Sequence, residues 1–307
     1  MPAKKKYKDC LSKIDFVPIY FEDWYLDACT PPGKWSFVSA ELEDGSFGMW
    51  PYLLKKKSIF NYIAMPHLCK WMGPLTTVDD QPEKKQKLLK LLKDQLPEHQ
   101  HFVQNIYYNS TEINFDSFES KQAYSYQIPL SDDLDQIYSR LDSDYRNNKI
   151  KKAAHLTLVV EAPVDDIVEM QMASYHYGKF DIPFDEKYVR NHVKKILKQK
   201  KGTILSLRDD ENQLYASMFV IWDNQRAYYH LAGMNPELRK SGASIRLIWE
   251  CIKYAKEELA VSHFDFEGSM IPNLERVRRN FGAKKIHYQN LSRTPSKLFG
   301  LMSMIKN

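Results

Sequence analysis

The sequence predicts a mixed α/β fold arranged as two consecutive halves. Its 307 residues are enough for two compact domains. Hydrophobic residues make up 43% of the chain and aromatic residues 13%, which allows each half a sizeable core. Runs with strand character alternate with amphipathic helical patterns in both halves, as they do where helices pack on a mixed sheet.

The first half is predicted to be mainly strands. Two of them, at 35–40 and 47–54, flank Asp44-Gly45 in the pattern of a β-hairpin. Pro82 then opens a basic helix over 83–96, whose leucines form one buried stripe. Further strands are predicted at 59–64, 101–108 and 123–128.

A polar stretch from 131 to 155 separates the two halves. It is predicted to form one helix over 132–141, capped by Ser131, and a second helix over 145–154. The second half then follows the order helix, helix, three strands, helix, strand, helix, strand. The predicted helices lie at 164–177, 184–200 and 242–258, and a fourth begins near Pro272. The predicted strands lie at 203–207, 213–222, 227–232, 263–266 and 286–289.

Composition argues against several classes of protein. The formal net charge is +5, from 44 basic and 39 acidic residues, which permits an anionic ligand but does not require nucleic acid. The four cysteines show neither zinc-site spacing nor a disulfide framework, and we predict no metal site. Scattered thiols are typical of a reducing compartment, so we expect a cytoplasmic protein without a secretory signal or a membrane span. The apolar tail at 298–304 is expected to pack on the body; the alternative is a role at a membrane surface.

The most informative stretch is YYHLAGMNPELRKSGASIR at 228–246, which is predicted to be a strand, a turn and the start of a long helix. The N-terminus of a helix presents unpaired N–H groups and a partial positive charge, and Gly242 leaves room for an anion to approach them. Arg239 and Lys240 add positive charge at this entrance. The stretch therefore predicts a phosphate-binding turn; the alternative is that Gly242 and Ser244 merely begin a helix.

Two carboxylates follow the next predicted strand. Asp265 and Glu267 are two residues apart, so alternation along a strand places both on one face. A carboxylate at a strand end beside a helix N-terminus can accept a proton from an attacking amine. We therefore predict Asp265 or Glu267 as the catalytic base; the alternative is a pair of surface carboxylates followed by a turn at Gly268.

Other candidates rest on their positions. His230 can act as a base, although a buried histidine with its hydrogen bonds satisfied is equally consistent with the sequence. Tyr229 lies on the same strand, where an aromatic residue packed in the core is the more common case. The predicted substrate contacts, each of which can instead be ordinary surface or turn, are Arg146, Tyr177, Gly268 and Arg279. Arg276 and Arg278 carry the same ambiguity as Arg279.

The phosphate-binding turn resembles a known signature. Residues 239–244 read Arg-Lys-Ser-Gly-Ala-Ser and resemble the R/Q-x-x-G-x-G/A motif of the GNAT superfamily. That family binds the pyrophosphate of coenzyme A through backbone amides of this turn. The resemblance also implies a catalytic role for Tyr229, because a tyrosine near the preceding strand stabilises the oxyanion or protonates the leaving thiolate in that family. The implied donor contacts are Arg239, Lys240, Ser241, Gly242, Ala243 and Ser244. Ser244 stands where the family usually has glycine or alanine, which leaves open whether the donor is acetyl-CoA or another acyl-CoA.

A second resemblance covers nearly the whole chain. The stretches YRNNKIKKAAHLTLVVE at 145–161 and FDFEGSMIPNLERVRRNFGAKKIHY at 264–288 are similar to the Fem-type aminoacyltransferases and the allied CelD/BioF-like acetyltransferases of bacteria. The stretch PGKWSFVSAELEDGSFGMWPYLLKKK at 32–57 resembles the first domain of that group. The resemblance implies two tandem GNAT-like domains, at 1–145 and 146–307, with the donor site in the second and an anionic substrate held by Arg146.

These observations predict an N-acyltransferase. It would move an acyl group from acetyl-CoA or another acyl-CoA to a small-molecule or carrier-bound amine, which we expect to be anionic, by direct attack. One alternative is Fem-type aminoacyl transfer from tRNA to a cell-wall precursor, which the missing helical coiled-coil arm disfavours. The other is a GNAT-like protein that binds a ligand or a partner without catalysis. The acceptor and the oligomeric state stay open.

Overall fold

The computed structural model describes residues 2–31, 34–107, 113–179, 181–182, 184–268 and 270–295. The chain divides into two compact units: unit 1 comprises Met1–Ala123 with His287–Asn307, and unit 2 comprises Tyr124–Ile286. The apolar tail at 298–304 lies outside the described residues. Both units contain helices packed on strands, so the predicted α/β class is confirmed.

Helices and strands alternate along the described chain. The helices are α1 (Pro2–Leu11), α2 (Asp23–Cys29), α3 (Pro82–Gln95), α4 (Leu134–Ser139), α5 (Ile150–Lys152), α6 (Val164–Gly178), α7 (Glu186–Lys198), α8 (Ala243–Glu257) and α9 (Pro272–Asn280). The strands are β1 (Trp35–Glu41), β2 (Phe47–Lys57), β3 (Phe60–Ala64), β4 (Leu75–Thr76), β5 (His101–Ile106), β6 (Glu119–Pro129), β7 (Thr157–Val160), β8 (Gly202–Arg208), β9 (Leu214–Trp222), β10 (Arg226–Met234), β11 (His263–Asp265) and β12 (Lys284–Arg293). Short 3₁₀ helices lie at Ile19–Phe21 and Pro236–Leu238, and a π-helical segment lies at Tyr145–Lys149.

Unit 1 is built on strands in the order β1-β2-β3-β5-β12, with β4 paired to β2. β1 and β2 are antiparallel, as the predicted hairpin requires, and Gly45 lies in their turn with φ +84°. Helix α3 packs on β1 and β2 and buries Leu88, Leu89 and Leu92 of its predicted leucine stripe. Leu91, which the stripe also predicts to be buried, is 41% exposed, because it lies on the side of the helix that faces away from these strands. Helices α1 and α2 carry little sequence signal, because α1 is rich in lysine and α2 has seven residues.

Unit 2 has strands in the order β6-β11-β10-β9-β8-β7. Helix α6 packs on β10 and β9, while α7 packs on α6 and β8. Helix α8 packs on β9 and β8, and its predicted apolar stripe enters the core of this unit. The stripe consists of Ala243, Leu247, Ile248, Cys251, Ile252 and Ala255.

The strands β10 and β11 run side by side only at their beginnings. They pair in parallel over Arg226–Tyr228 and His263–Asp265. β10 then continues to Met234, paired on its other side with β9, whereas β11 has ended. A β-bulge between Tyr229 and Leu231 interrupts the β10–β9 register at the same level. Beyond Tyr228 the β11 side of β10 is therefore an open edge, and the candidate site lies beside it.

The compact units do not follow the boundary at 145/146 that the sequence predicts. This boundary lies inside unit 2, whose core already includes Tyr126, Ile128 and Ile137. At the other end of the chain, β12 pairs with β5 over Arg293–Gln289 and so belongs largely to unit 1. The compact units depend on strand pairing between residues that are distant along the chain. The boundary at 145/146 is predicted from a local change of composition, which carries no information about such pairing.

Two local features differ from the predicted elements. Helix α4 is capped by Asp133, whose carboxylate accepts a hydrogen bond from the Gln136 amide, and not by Ser131. The predicted helix over 145–154 is a π-helical segment at Tyr145–Lys149 that continues into the short α5. π-helical turns often occur at functional sites, and this one lies against the turn before α8, where the Lys149 carbonyl oxygen approaches Gly242.

Candidate active site

A carboxylate and two imidazoles form a hydrogen-bonded chain in unit 2. Nδ1 of His230 lies 2.8 Å from Oε1 of Glu267, and Nε2 of His230 lies 2.8 Å from Nε2 of His192. His230 lies at the bulge in β10, Glu267 follows β11, and His192 belongs to α7. The Glu267 side chain is 12% exposed, that of His230 is 2% exposed and His192 is fully buried. Glu267 is therefore the most exposed of the three hydrogen-bonded side chains and the one that reaches solvent.

The backbone of Glu267 has a left-handed conformation, with φ +55°. This conformation costs a residue with a Cβ about 1–2 kcal/mol, and such outliers cluster at functional sites. The next residue, Gly268, also has a positive φ, of +66°. A Cβ on Gly268 would lie 2.6 Å from the carbonyl oxygen of Tyr124, so glycine is required here by packing as well as by conformation.

Asp265 is fully buried, and the protein satisfies its carboxylate. Oδ1 accepts hydrogen bonds from the Ser125 hydroxyl at 2.6 Å and from the Glu267 amide at 2.8 Å. Oδ2 accepts from the Gln127 side-chain amide at 2.8 Å. Ser125 and Gln127 come from β6, which pairs with β11 at this level. These contacts suit Asp265 to holding the turn that carries Glu267.

Substitution of Asp265 with asparagine is expected to destabilise unit 2 by about 1–3 kcal/mol, because it places a donor among donors and leaves a buried hydrogen bond unmade. Urea denaturation measures the loss. Asp210→Asn, at an exposed turn, provides the control and should leave the transition unchanged. Equal midpoints for the two variants would mean that the contacts to Asp265 do not stabilise the turn.

Tyr229 and Arg278 are two further ionisable groups of this region. Burial raises the pKa of Tyr229 to about 12, so its hydroxyl is protonated at neutral pH and can donate a proton. Burial also lowers the pKa of Arg278, while the neighbouring carboxylates and tyrosines oppose that shift. Arg278 is therefore the buried member of the three arginines that the sequence could not rank.

Side chains from α6 occupy the open edge of β10. The Asn235 amide pairs with the Tyr215 carbonyl, and because antiparallel pairing alternates, the amides of Ala232 and Met234 point away from β9. Oε1 of Gln171 accepts the hydrogen bond of the Ala232 amide at 2.9 Å, and Oγ of Ser174 accepts that of the Met234 amide at 3.1 Å.

Gly233 makes this arrangement possible. A Cβ at this position would lie 2.0 Å from the carbonyl oxygen of Met170, so α6 approaches β10 as closely as only glycine allows. Neither Gln171 nor Ser174 is among the site residues predicted from the sequence. The available signal is that Gln171, although polar, lies on the buried face of α6.

The N-terminus of α8 has the turn that the sequence predicts. Gly242 caps the helix with φ +86°. A Cβ on Gly242 would lie 2.2 Å from the carbonyl oxygen of Lys149, so glycine is needed for the close approach of the π-helical segment. Within the turn, the Ser241 amide donates to the Leu238 carbonyl, and the Ala243 amide lies 3.2 Å from Oγ of Ser241. Part of the hydrogen-bonding capacity of this turn is thus used internally.

Positive side chains surround this helix start. Arg239 and Lys240 are exposed, and Lys152 donates to the Lys240 carbonyl at 2.9 Å. The Arg239 guanidinium lies over the ring of Tyr177, 5.4 Å from its centre. The structure thereby brings together two residues, Arg239 and Tyr177, that the sequence assigned to different roles. Ser244 is partly buried in the first turn of α8.

The two remaining predicted substrate contacts lie elsewhere in unit 2. Arg146 is half-buried, and its Nε donates to the carbonyl oxygen of Leu141 at 3.0 Å. Arg279 is exposed on α9, and its Nε lies 3.9 Å from Oε1 of Glu275. Both side chains therefore contact residues close to them in the sequence. Their role in binding a substrate stays a prediction.

The described residues contain neither a membrane-spanning helix nor a cluster of metal ligands. No helix among them is both long enough and apolar enough to cross a bilayer. No group of three or more histidine, cysteine, aspartate or glutamate side chains in the described ranges is arranged to hold a metal ion.

The family match indicates an acyltransferase. Residues 143–273 match the family described as acetyltransferase (GNAT) domain. This range contains α6, the open edge of β10, the turn before α8 and the turn that carries Glu267. The chain therefore carries a GNAT-type acetyltransferase domain, as the signature at 239–244 indicates. No curated protein sequence matches the chain.

Solved structures extend the likeness to the first unit. FemX is similar to this chain with a TM-score of 0.62 and 11% identity, over 93% of this chain and 95% of FemX. L-PGS from Bacillus licheniformis is similar with a TM-score of 0.52 and 13% identity, over 98% of this chain and 95% of that protein. At such identities the likeness is one of fold, and it confirms the predicted fold of the Fem-like GNAT group.

Proposed function

We propose that this protein is an N-acyltransferase in which Glu267 takes the proton from an attacking amine. The observation that carries the proposal is the Glu267–His230 pair beside the open edge of β10. A nearly enclosed carboxylate that an imidazole orients, and that still reaches solvent, is suited to act as a general base. Asp265, whose two oxygens accept three hydrogen bonds, is better suited to positioning the turn.

The proposed reaction is a direct transfer without a covalent enzyme intermediate. The amine nitrogen attacks the acyl carbonyl carbon and forms the new N–C bond, while the bond from that carbon to the leaving group breaks. The amine proton passes to the Glu267 carboxylate and from there to solvent. The leaving group takes the hydroxyl proton of Tyr229, which is replaced from solvent.

An elongated donor fits this site. Its anionic end is proposed to bind at the N-terminus of α8, where Arg239 and Lys240 are exposed. His230 and Met234 are separated along β10 by about 13 Å, and the turn at Pro236–Leu238 follows before α8 begins. The reacting carbonyl and the anionic group must therefore be joined by an extended arm.

Acetyl-CoA or another acyl-CoA is such a donor, and residues 239–244 would hold its pyrophosphate. The arm of an acyl-CoA contains amide groups that could hydrogen-bond to the edge of β10. The amides of that edge, however, already donate to Gln171 and Ser174. The arm could pair with this edge only after those side chains move. This observation favours a second candidate donor, the acyl ester of a tRNA. Its ribose-phosphate arm does not need to form strand-like hydrogen bonds with the edge of β10. The acceptor is proposed to be a small-molecule or carrier-bound amine.

Binding measurements separate the two donors. Calorimetric titration with acetyl-CoA and filter binding with bulk aminoacyl-tRNA test each in turn, and a steep salt dependence marks genuine phosphate contacts. Mass spectrometry then detects transfer to a panel of amino acids, amino sugars and polyamines. Turnover with either donor supports the proposal. Binding without turnover across the panel would indicate a ligand-binding protein, and binding of neither donor would remove the proposal.

A further inference from the structure

We propose that His192 is a positioning residue that sets the protonation of His230 and thereby the orientation of Glu267. The hydrogen-bond geometry of the three side chains carries this inference. Its catalytic meaning rests on the proposed function, in which Glu267 accepts the amine proton. The structural part, the placement of two protons on two imidazoles, stands apart from any activity and can be measured on the protein alone.

The donors and acceptors along the chain follow from the two distances. An ionised Glu267 carboxylate can only accept, so Nδ1 of His230 carries a proton and donates to it. Nε2 of a neutral His230 is then an acceptor. Nε2 of His192, 2.8 Å away, has to be the donor. His192 therefore carries a proton on Nε2, and both of these hydrogen bonds point from His192 toward Glu267.

The position of His192 is one that an apolar residue would ordinarily fill. It lies on the buried face of α7 with Val189, Val193 and Ile196, at the spacing of an apolar stripe. Burial of an imidazole costs free energy unless its nitrogens are hydrogen-bonded. A leucine would complete the stripe but would leave Nε2 of His230 facing an apolar side chain.

The hydrogen bond from His192 matters because it selects between two forms of His230. Which ring nitrogen of a neutral histidine carries the proton is set by the hydrogen bonds that the other nitrogen makes. If the proton moved to Nε2, the lone pair of Nδ1 would face the Glu267 carboxylate and repel it. Glu267 would then rotate away or bind a proton, and either change removes the oriented base.

Long-range ¹H–¹⁵N correlation spectra of protein labelled at histidine report the proton position of each imidazole. The spectra are recorded about one unit above the ordinary imidazole pKa of about 6.5. We compare the wild type with His192→Gln, whose side-chain amide keeps a donor, and with His192→Leu, which removes it. His287→Gln changes an exposed histidine of unit 1 and serves as the control.

In the wild type we expect His230 protonated on Nδ1 and His192 on Nε2. His192→Gln and His287→Gln should keep the His230 signature, and His192→Leu should shift it toward the Nε2 form. A wild-type His230 that is protonated on Nε2 or on both nitrogens would overturn the proposal, as would a His192→Leu spectrum with His230 unchanged. These results do not depend on a substrate, so they stay separate from the fate of the proposed function.

Turnover, once a donor and an amine are found, gives the second measurement. His192→Leu should lower kcat by about 10–100-fold, the size of effect seen when a partner that orients a functional histidine is lost. KM should change little, and His192→Gln should restore most of the rate. Equal rates for the two variants would show that the donor N–H at this position has no catalytic consequence.

Discussion

Replacement of Glu267 with glutamine is expected to lower kcat by about 10²–10⁴-fold, the usual contribution of a general base. The amide has nearly the shape of the carboxylate, and its oxygen can still accept from Nδ1 of His230. What it loses is the ability to take the amine proton. KM for both substrates should therefore stay close to the wild-type value, and the loss should appear in the rate of transfer.

Glu257→Gln is the matched control, because it makes the same chemical change at an exposed position near the end of α8. It should leave kcat and the unfolding transition unaltered. Circular dichroism and urea denaturation confirm that Glu267→Gln is folded. If Glu267→Gln retained full activity while Asp265→Asn lost it in a folded protein, the base would be Asp265 and the assignment of the two carboxylates would be reversed.

Replacement of Gly242 with alanine is expected to cost about 3 kcal/mol or more of stability and to weaken binding of the donor. The left-handed conformation accounts for about 1–2 kcal/mol of the loss. The remainder comes from the new Cβ, which would lie 2.2 Å from the Lys149 carbonyl oxygen and would push the π-helical segment away from the turn. The amides at the start of α8 would then be displaced from the place where the anionic end of the donor is proposed to bind.

Gly45→Ala separates the two contributions. Gly45 has nearly the same φ, +84°, but a Cβ there would meet nothing within 4 Å. It should lose only the conformational part, and donor binding should not change. Urea denaturation compares the losses, and titration with acetyl-CoA or aminoacyl-tRNA compares the affinities. Equal losses for the two variants would show that the contact with Lys149 relaxes without cost.

Together these substitutions test the two ends of the proposed site independently. Glu267 serves the reacting end, where a proton has to leave the amine. Gly242 serves the anionic end, where the donor is proposed to bind. If one substitution fails to act while the other does, the corresponding half of the proposal falls and the other half stands.

The open edge of β10 lies between these two ends. Gln171 and Ser174 satisfy its amides, and both residues come from α6. A donor that pairs with the edge has to displace them, whereas a donor that crosses the edge without pairing does not. The choice between acyl-CoA and aminoacyl-tRNA is therefore tied to these two side chains.

Local patterns in the sequence account for the fold class, most elements of unit 2 and the turn before α8. The apolar stripe of α8 and the pair Arg239 and Gly242 act within a few residues of one another, so their spacing alone predicts the helix and its N-terminal turn. Local pattern also identifies Glu267 and His230 as candidate site residues. Glu267 follows a predicted strand, and His230 lies in one.

Only the tertiary structure decided which residues act together. Asp265 and Glu267 look alike in the sequence, but Ser125 and Gln127 on β6 satisfy the former, while His230 on β10 orients the latter. His192 enters the site from α7, and β12 returns to unit 1. The physical reason is common to all of these: a hydrogen bond forms between side chains that the sheet and the helices bring together, and residues so distant along the chain leave no periodic signal in the sequence.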